Sequence, residues 1–213
     1  MADERLARAE RYALADLMAE LGPDAPTLNT GWTIRDLAAH VIVRERRLDG
    51  AAGILVRGLR EHSEKVRRAV ADRPFDEMVA EVRHPPWWTF SAIPLLDVLV
   101  NTSEFFIHHE DVRRAQPGWE PRDLPVVVER ELWRRVRSSA RLALRRFRAV
   151  VVLHAPGYGE STFGVSDSPT RVRVSGPPGE LLMFVSGRQR AARVEVTGPQ
   201  PTVDSLRRAR LGV

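Results

Sequence analysis

The sequence predicts a mixed α+β chain, with a four-helix bundle over residues 1–148 and a small α+β unit over 149–213. Three observations predict it. Apolar residues recur at helical spacing through the first part of the chain. Proline and glycine interrupt that pattern where they would stop helices. After residue 148 the period shortens toward two, and β-branched runs alternate with turn residues.

The first helix is read over residues 3–21, where Leu6, Ala9, Ala13, Leu14, Leu17, Met18 and Leu21 share a helical face. Gly22-Pro23 stops it. After a linker over 24–31, Trp32-Thr33-Ile34-Arg35-Asp36-Leu37 reads as a helix start. Thr33 is the expected N-cap, Asp36 the reciprocal capping-box residue, and Trp32 and Leu37 a hydrophobic staple. This second helix is expected to run to about Gly58. Short helices follow near 62–71 and 75–82, and Pro85-Pro86 breaks the chain before Trp87-Trp88. A third long helix is read over 91–115, with Pro94 in its first turn and Pro117-Gly118 beyond its end. A fourth, over 123–148, carries eight arginines from Arg130 to Arg148. Beyond it, 149–153 and 170–174 read as strands and 154–168 as a Gly-rich turn region. A proline-opened helix spans 177–185, closed by Gly187-Arg188; a strand at 192–196 and a helix at 203–210 complete the chain.

The chain has 213 residues, of which 43% are hydrophobic and 29% charged, so wholesale disorder is excluded. It contains no cysteine, which removes disulfides, thiolate metal ligands and an intrinsic cysteine nucleophile. No apolar run approaches the ~20 residues that cross a bilayer, and Met1-Ala2-Asp3-Glu4-Arg5 opens an amphipathic charged segment. The expectation is a cytoplasmic protein with no membrane partner. The formal charge is +5, but only Lys65 among the 33 basic residues is a lysine. Arginine keeps its charge at every relevant pH, so that choice itself raises the isoelectric point. The arginine helix reads as a solvated face before a nucleic-acid footprint, because Glu129 and Glu131 dilute it and no recognition motif accompanies it.

The sharpest chemical signal lies on the third helix. Asp97, Asn101, Glu104, His108 and Asp111 fall on one polar stripe of an otherwise apolar wheel. Glu104 and His108 are one turn apart, so their side chains can present lone pairs to a common point. An acid four residues before a histidine is expected about once by chance in this composition, and Asp36/His40 is a second case. The stripe therefore reads equally as a solvent face or as part of a metal site. His40 flanks the apolar stripe Leu37, Ala38, Val41 and Leu48, and alone would be a core-edge histidine. If helices two and three face each other, His40, Glu104 and His108 supply two imidazoles and a carboxylate, the donor set of catalytic zinc sites. Asp36 would then orient His40 or simply cap its helix.

Two segments carry a resemblance. Gly31-Trp32-Thr33-Ile34-Arg35-Asp36-Leu37-Ala38-Ala39-His40 resembles the second-helix motif of the mycothiol-dependent maleylpyruvate isomerase family, within the DinB-like metal-binding bundle superfamily. Residues Asn101 to Ala115, with Glu104 and His108 in register, resemble its third-helix motif. Residues Gly179 to Arg188 are similar to its small C-terminal domain. The resemblance implies a DinB-like bundle holding a divalent metal, most often zinc, on His40, Glu104 and His108. It also implies mycothiol as a cosubstrate, with isomerisation or thiol transfer as the reaction. The doubled His108-His109 and the arginine-heavy fourth helix depart from the family's characterised isomerases.

A metal-bound thiol ionises near neutral pH, and in a chain without cysteine that thiol must come from outside. Asn101 and Asp111 are candidates to orient a ligand, and Arg188 to meet an anionic group of the substrate. An arginine in that position also commonly meets its helix's terminal carbonyls. The expected partner is a small thiol or small organic substrate; a homodimer is compatible with the sequence. A metal-binding or stress-response protein without turnover would keep the three ligands and lack a cosubstrate pocket. Nucleic acid, through the arginine helix, is the remaining reading.

Overall fold

The computed structural model describes residues 2–46, 60–84, 94–165 and 168–212. The chain divides into two compact units, Met1–Glu120 and Pro121–Val213.

The N-terminal unit is helical: α1 (Ala2–Leu21), α2 (Ile34–Arg46), α3 (Arg60–Ala71), α4 (Phe75–Arg83) and α5 (Pro94–Arg113). Helix α1 packs along α5 and α4, and α2 packs against α3 and α4. The apolar faces read from the sequence are the buried ones. Leu14, Ala15 and Met18 of α1 meet Ile34, Leu37, Ala38, Val41 and Ile42 of α2 in one core, closed by Met78 and Val82 of α4 and Phe105 and Val112 of α5. At the start of α2 the reciprocal half of the expected capping box forms, and the Thr33 hydroxyl turns to the Asp36 carboxylate instead of to a backbone N–H. The Thr33 backbone N–H donates to Asp36 Oδ2 at 3.0 Å and the Thr33 hydroxyl donates to the same oxygen at 3.2 Å.

Charged groups are buried in this unit in pairs, since an isolated buried charge would be costly. Arg11 of α1 pairs with Glu45 of α2, donates to the Val82 carbonyl at 2.9 Å, and stacks over Phe105 at 4.1 Å from the ring centroid. His109 is buried against α1, with Nδ1 2.8 Å from Glu10 Oε2.

The C-terminal unit contains α6 (Val126–Ala143), α7 (Pro178–Val185), α8 (Gln200–Arg208) and four strands, β1 (Val150–Ala155), β2 (Gly159–Gly164), β3 (Arg171–Ser175) and β4 (Glu195–Thr197). The sheet order is β2-β1-β3-β4, with β1 antiparallel to β2, parallel to β3, and β3 antiparallel to β4. Every residue of α7 is buried, and α6 packs against it. Helix α7 ends in a Schellman motif: the Arg188 N–H reaches the Met183 carbonyl at 3.0 Å and the Gly187 N–H reaches that of Phe184 at 3.3 Å. Gly187 sits at φ +90°, and a Cβ there would lie 2.4 Å from the Leu211 carbonyl oxygen, so only glycine fits.

The mixed α+β fold agrees with the expectation; the strand read at 192–196 is Glu195–Thr197, the helix read at 203–210 is Gln200–Arg208, and two larger features also differ. The arginine helix does not close the N-terminal bundle. It belongs to the C-terminal unit, so the division falls between Glu120 and Pro121 and not near residue 149. The physical reason is the inner face of α6, where Leu132, Trp133, Val136 and Ala140 are buried in the layer that covers α7. The second difference is β2, which lies within the segment read as turns. Its pairing with β1 runs from Val150↔Gly164 to Ala155↔Gly159 around a tight turn at 156–158. The expected continuation of the second helix past Arg46 and the Trp87-Trp88 pair lie outside the described residues.

Candidate metal centre

His40 stands two turns into α2 and His108 near the C-terminal end of α5, and the two rings meet edge to face with centroids 5.3 Å apart and planes at 82°. On its other side His40 meets the Trp32 ring, with centroids again 5.3 Å apart. Glu104, one turn before His108, places Oε2 3.5 Å from His108 Nε2. The three side chains named from the sequence therefore come together in one place in the N-terminal unit.

Asp111 completes this arrangement from one turn further along α5. Its carboxylate has no solvent exposure and lies 3.2 Å from His108 Nδ1. Asn29 Nδ2 donates to the same carboxylate oxygen at 3.4 Å, and the Leu28 N–H donates to the Asp111 carbonyl at 2.9 Å. An ionised carboxylate only accepts hydrogen bonds, so the contact places a proton on Nδ1 and leaves Nε2 to face the site. His108 Nε2 is buried and has no hydrogen-bond partner among the described residues.

The electrostatics divide the two imidazoles. Burial pushes the His40 pKa down to about 3, helped by the positive charges of His108, Arg44 and Arg67 and opposed by Glu104. His40 is thus a neutral imidazole with an available lone pair at ordinary pH. Burial acts in the same direction on His108, but the neighbouring Asp111 and Glu104 carboxylates outweigh it and hold its pKa above the usual histidine value. Burial disfavours the Glu104 carboxylate, and His108, Arg44 and His40 more than reverse this, so its pKa lies well below the usual range.

Two imidazoles, that of His108 with a buried nitrogen lacking a hydrogen-bond partner, and one carboxylate are a donor set suited to a divalent ion. Among the described residues, however, no group of three His, Cys, Asp or Glu side chains is placed so that it could hold a metal ion. One neighbour bears directly on this. Arg44, one turn after His40 on α2, brings Nη1 to 3.5 Å from Glu104 Oε2.

The other sequence candidates separate. Asp36 does not orient His40: its oxygens go to Thr33 and to Arg67 of α3, which pairs with Asp36 Oδ1. Asn101 lies on α5, but its side chain is outside the described residues. Arg188 sits at the end of α7 in the C-terminal unit, where Nη1 donates to the Ser186 carbonyl at 2.6 Å, the helix-end role the sequence allowed. His109, next to the stripe, is committed to Glu10. The sequence reading missed Trp32 as a ring neighbour of His40, Arg44 as a partner of Glu104, and Arg67, whose guanidinium lies 5.0 Å from the Trp32 ring centroid. Arg44 was within reach of the argument that paired Glu104 with His108, since it too is four residues from a candidate ligand. Arg67 comes from another helix, and no local spacing announces it.

No family model matches the chain, and no curated protein matches it in sequence. Among solved structures it is similar to the crystal structure of a mycothiol-dependent maleylpyruvate isomerase, at TM-score 0.59 and 16% identity over 93% of this chain and 92% of that one. A histidine-to-alanine mutant of a mycothiol-dependent maleylpyruvate isomerase matches at the same TM-score and coverage with 15% identity. At these identities the likeness is one of fold, and it spans both units.

Proposed function

We propose that this chain is a divalent-metal-binding protein, with zinc as the first choice and His40, Glu104 and His108 as ligands, acting on a small thiol of the mycothiol type in isomerisation or thiol transfer. The observation that carries the reading is the buried, partnerless Nε2 of His108, set between the His40 ring and the Glu104 carboxylate. The fold shared with a mycothiol-dependent isomerase supports the thiol half of it.

In this reading the chain's own residues divide the work. His40 offers a neutral imidazole because its buried, cationic surroundings keep protons away. Asp111 fixes the His108 tautomer so that Nε2 faces the ion, as carboxylate partners of ligating histidines commonly do. Glu104 supplies the negative charge. Trp32 covers one side of the His40 ring and limits water there. When bound, the ion would supply Lewis acidity that keeps an external thiol ionised near neutral pH. The absence of cysteine means that this sulfur is brought by the cosubstrate.

Elemental analysis of the purified protein beside His40→Ala, Glu104→Ala and His108→Ala tests the ligand assignment. The expected result is close to one equivalent of metal in the parent chain and loss of most of it in each variant. Full metal content in all three variants rejects the assignment. Isomerase and thiol-transfer assays of the metal-loaded protein, run with and without mycothiol, then separate thiol chemistry from metal binding without turnover.

A further inference from the structure

We propose that Arg44 is a resident cation on Glu104, that a divalent ion enters this site by exchange with its guanidinium, and that Arg44 thereby sets how tightly the ion is held. The inference rests on the assignment of His40, Glu104 and His108 as ligands and adds a fourth residue that controls them.

The geometry turns on one oxygen. Glu104 Oε2 lies 3.5 Å from His108 Nε2 and 3.5 Å from Arg44 Nη1. An ion bridging Glu104 and His108 would draw on the lone pairs of the oxygen that the guanidinium also faces. Arg44 is only 11% exposed, so solvent screens its charge weakly there. Arginine does not deprotonate in proteins, so the site cannot shed this charge by titration. Divalent binding with the guanidinium left in place would set a third positive charge against two. The arginine stem is long enough to carry the charged head away while its methylenes stay packed. Arg44 also shares a face of α2 with His40, one turn away, so both are presented to α5 together.

A structural ion pair and a resident competitor predict opposite effects of removing the charge. If Arg44 merely supports Glu104, its loss leaves metal affinity unchanged or lower. If it competes, its loss tightens binding. The test is a chelator-competition titration with zinc on the full-length parent chain, Arg44→Met, Arg44→Gln and Arg44→Lys, with thermal melts of each in the presence and absence of zinc. Arg44→Met and Arg44→Gln are expected to bind zinc about tenfold tighter or more, which corresponds to about 1.4 kcal/mol. Arg44→Lys should stay near the parent value, and the zinc-induced rise in Tm should be larger in the two uncharged variants. Zinc binding by Arg44→Met and Arg44→Gln that equals or falls below the parent overturns the inference while leaving the ligand assignment standing. Failure of every protein, parent included, to bind zinc overturns both. Should Arg44→Met not fold, Arg44→Gln, which retains hydrogen-bonding groups without the charge, decides the matter alone.

Discussion

Asp111 shows how a single buried carboxylate can decide the chemistry of its neighbour. It lies 3.2 Å from His108 Nδ1, has no exposure to solvent, and is itself held by the Asn29 side chain. Substituting Asp111→Asn preserves shape but removes the charge, and an amide can either donate to or accept from Nδ1. The ring then loses its reason to keep the proton on that nitrogen, and its pKa falls because a principal carboxylate opposing the effect of burial is gone. Metal affinity is expected to drop by about 10–100-fold, the usual cost of losing the partner of a ligating histidine. Competition titration measures that drop, and nitrogen chemical shifts of His108 in the metal-free protein report the mixed tautomer. An unchanged tautomer with unchanged affinity would show that Asp111 only fills space. The sequence placed Asp111 on the right stripe of the helix but could not say that it turns toward His108. That depends on the α5 backbone and on Asn29, 82 positions away.

The pairing of α2 with α3 rests on a clamp that was not legible at the level of helices. Capping-box chemistry predicted Asp36 and Thr33 together, and the Asp36 carboxylate accepts from both the Thr33 N–H and the Thr33 hydroxyl. Arg67 of α3 pairs with Asp36 and also with Glu64, whose Oε2 accepts from Arg67 Nε at 2.9 Å. Burial alone would raise the Asp36 pKa, but the Thr33 amide and Arg67 reverse this and hold it below its ordinary value. The Arg67 hydrogen bond brings Glu64 down to about 2. Both folded-state values lie below those of the unfolded chain, so the stabilisation is complete above the ordinary carboxylate range. It is lost as the pH falls from about 4.5 toward 2, where protons are taken up by the unfolded chain first. Arg67→Met is therefore expected to lower Tm at pH 6, with a difference from the parent that shrinks steadily as the pH approaches 2. Melts in chelator across that range measure it, and a difference that stays constant with pH would show that packing and not charge holds the clamp. The same gap between spacing and contact affects α6. Arg130, Arg134, Arg137 and Arg141 follow helical spacing and are exposed, as are Arg145, Arg146 and Arg148 beyond its end, while Arg135 is buried. Glu129 and Glu131, which dilute that face in the sequence, instead turn inward. Glu129 accepts the Gly179 N–H at the start of α7 at 3.1 Å.

At the scale of the whole chain, local grammar located most elements, while the division between units depended on which buried faces meet. Periodicity changes after residue 148, and that change is real: the first strand begins at Val150. What it marks is the passage from helix to strand within one unit. Helix α7 is buried on every side, with Glu180 its one charged residue and Leu181, Leu182, Met183, Phe184 and Val185 fully enclosed, so it needs cover on more than one side. Strand β1 lies against it, and α6 supplies a further layer through Leu132, Val136 and Ala140. Removing α6 would uncover several of these side chains at about 1.5–3 kcal/mol each, comparable in sum to the whole stability of a small domain. A fragment starting at Pro121 is therefore expected to give a cooperative thermal transition and dispersed amide signals, and one starting at Ala149 to aggregate or stay unfolded. Cooperative folding of the shorter fragment would mean that α6 is dispensable to the sheet and α7, and would restore the boundary suggested by the change in sequence period.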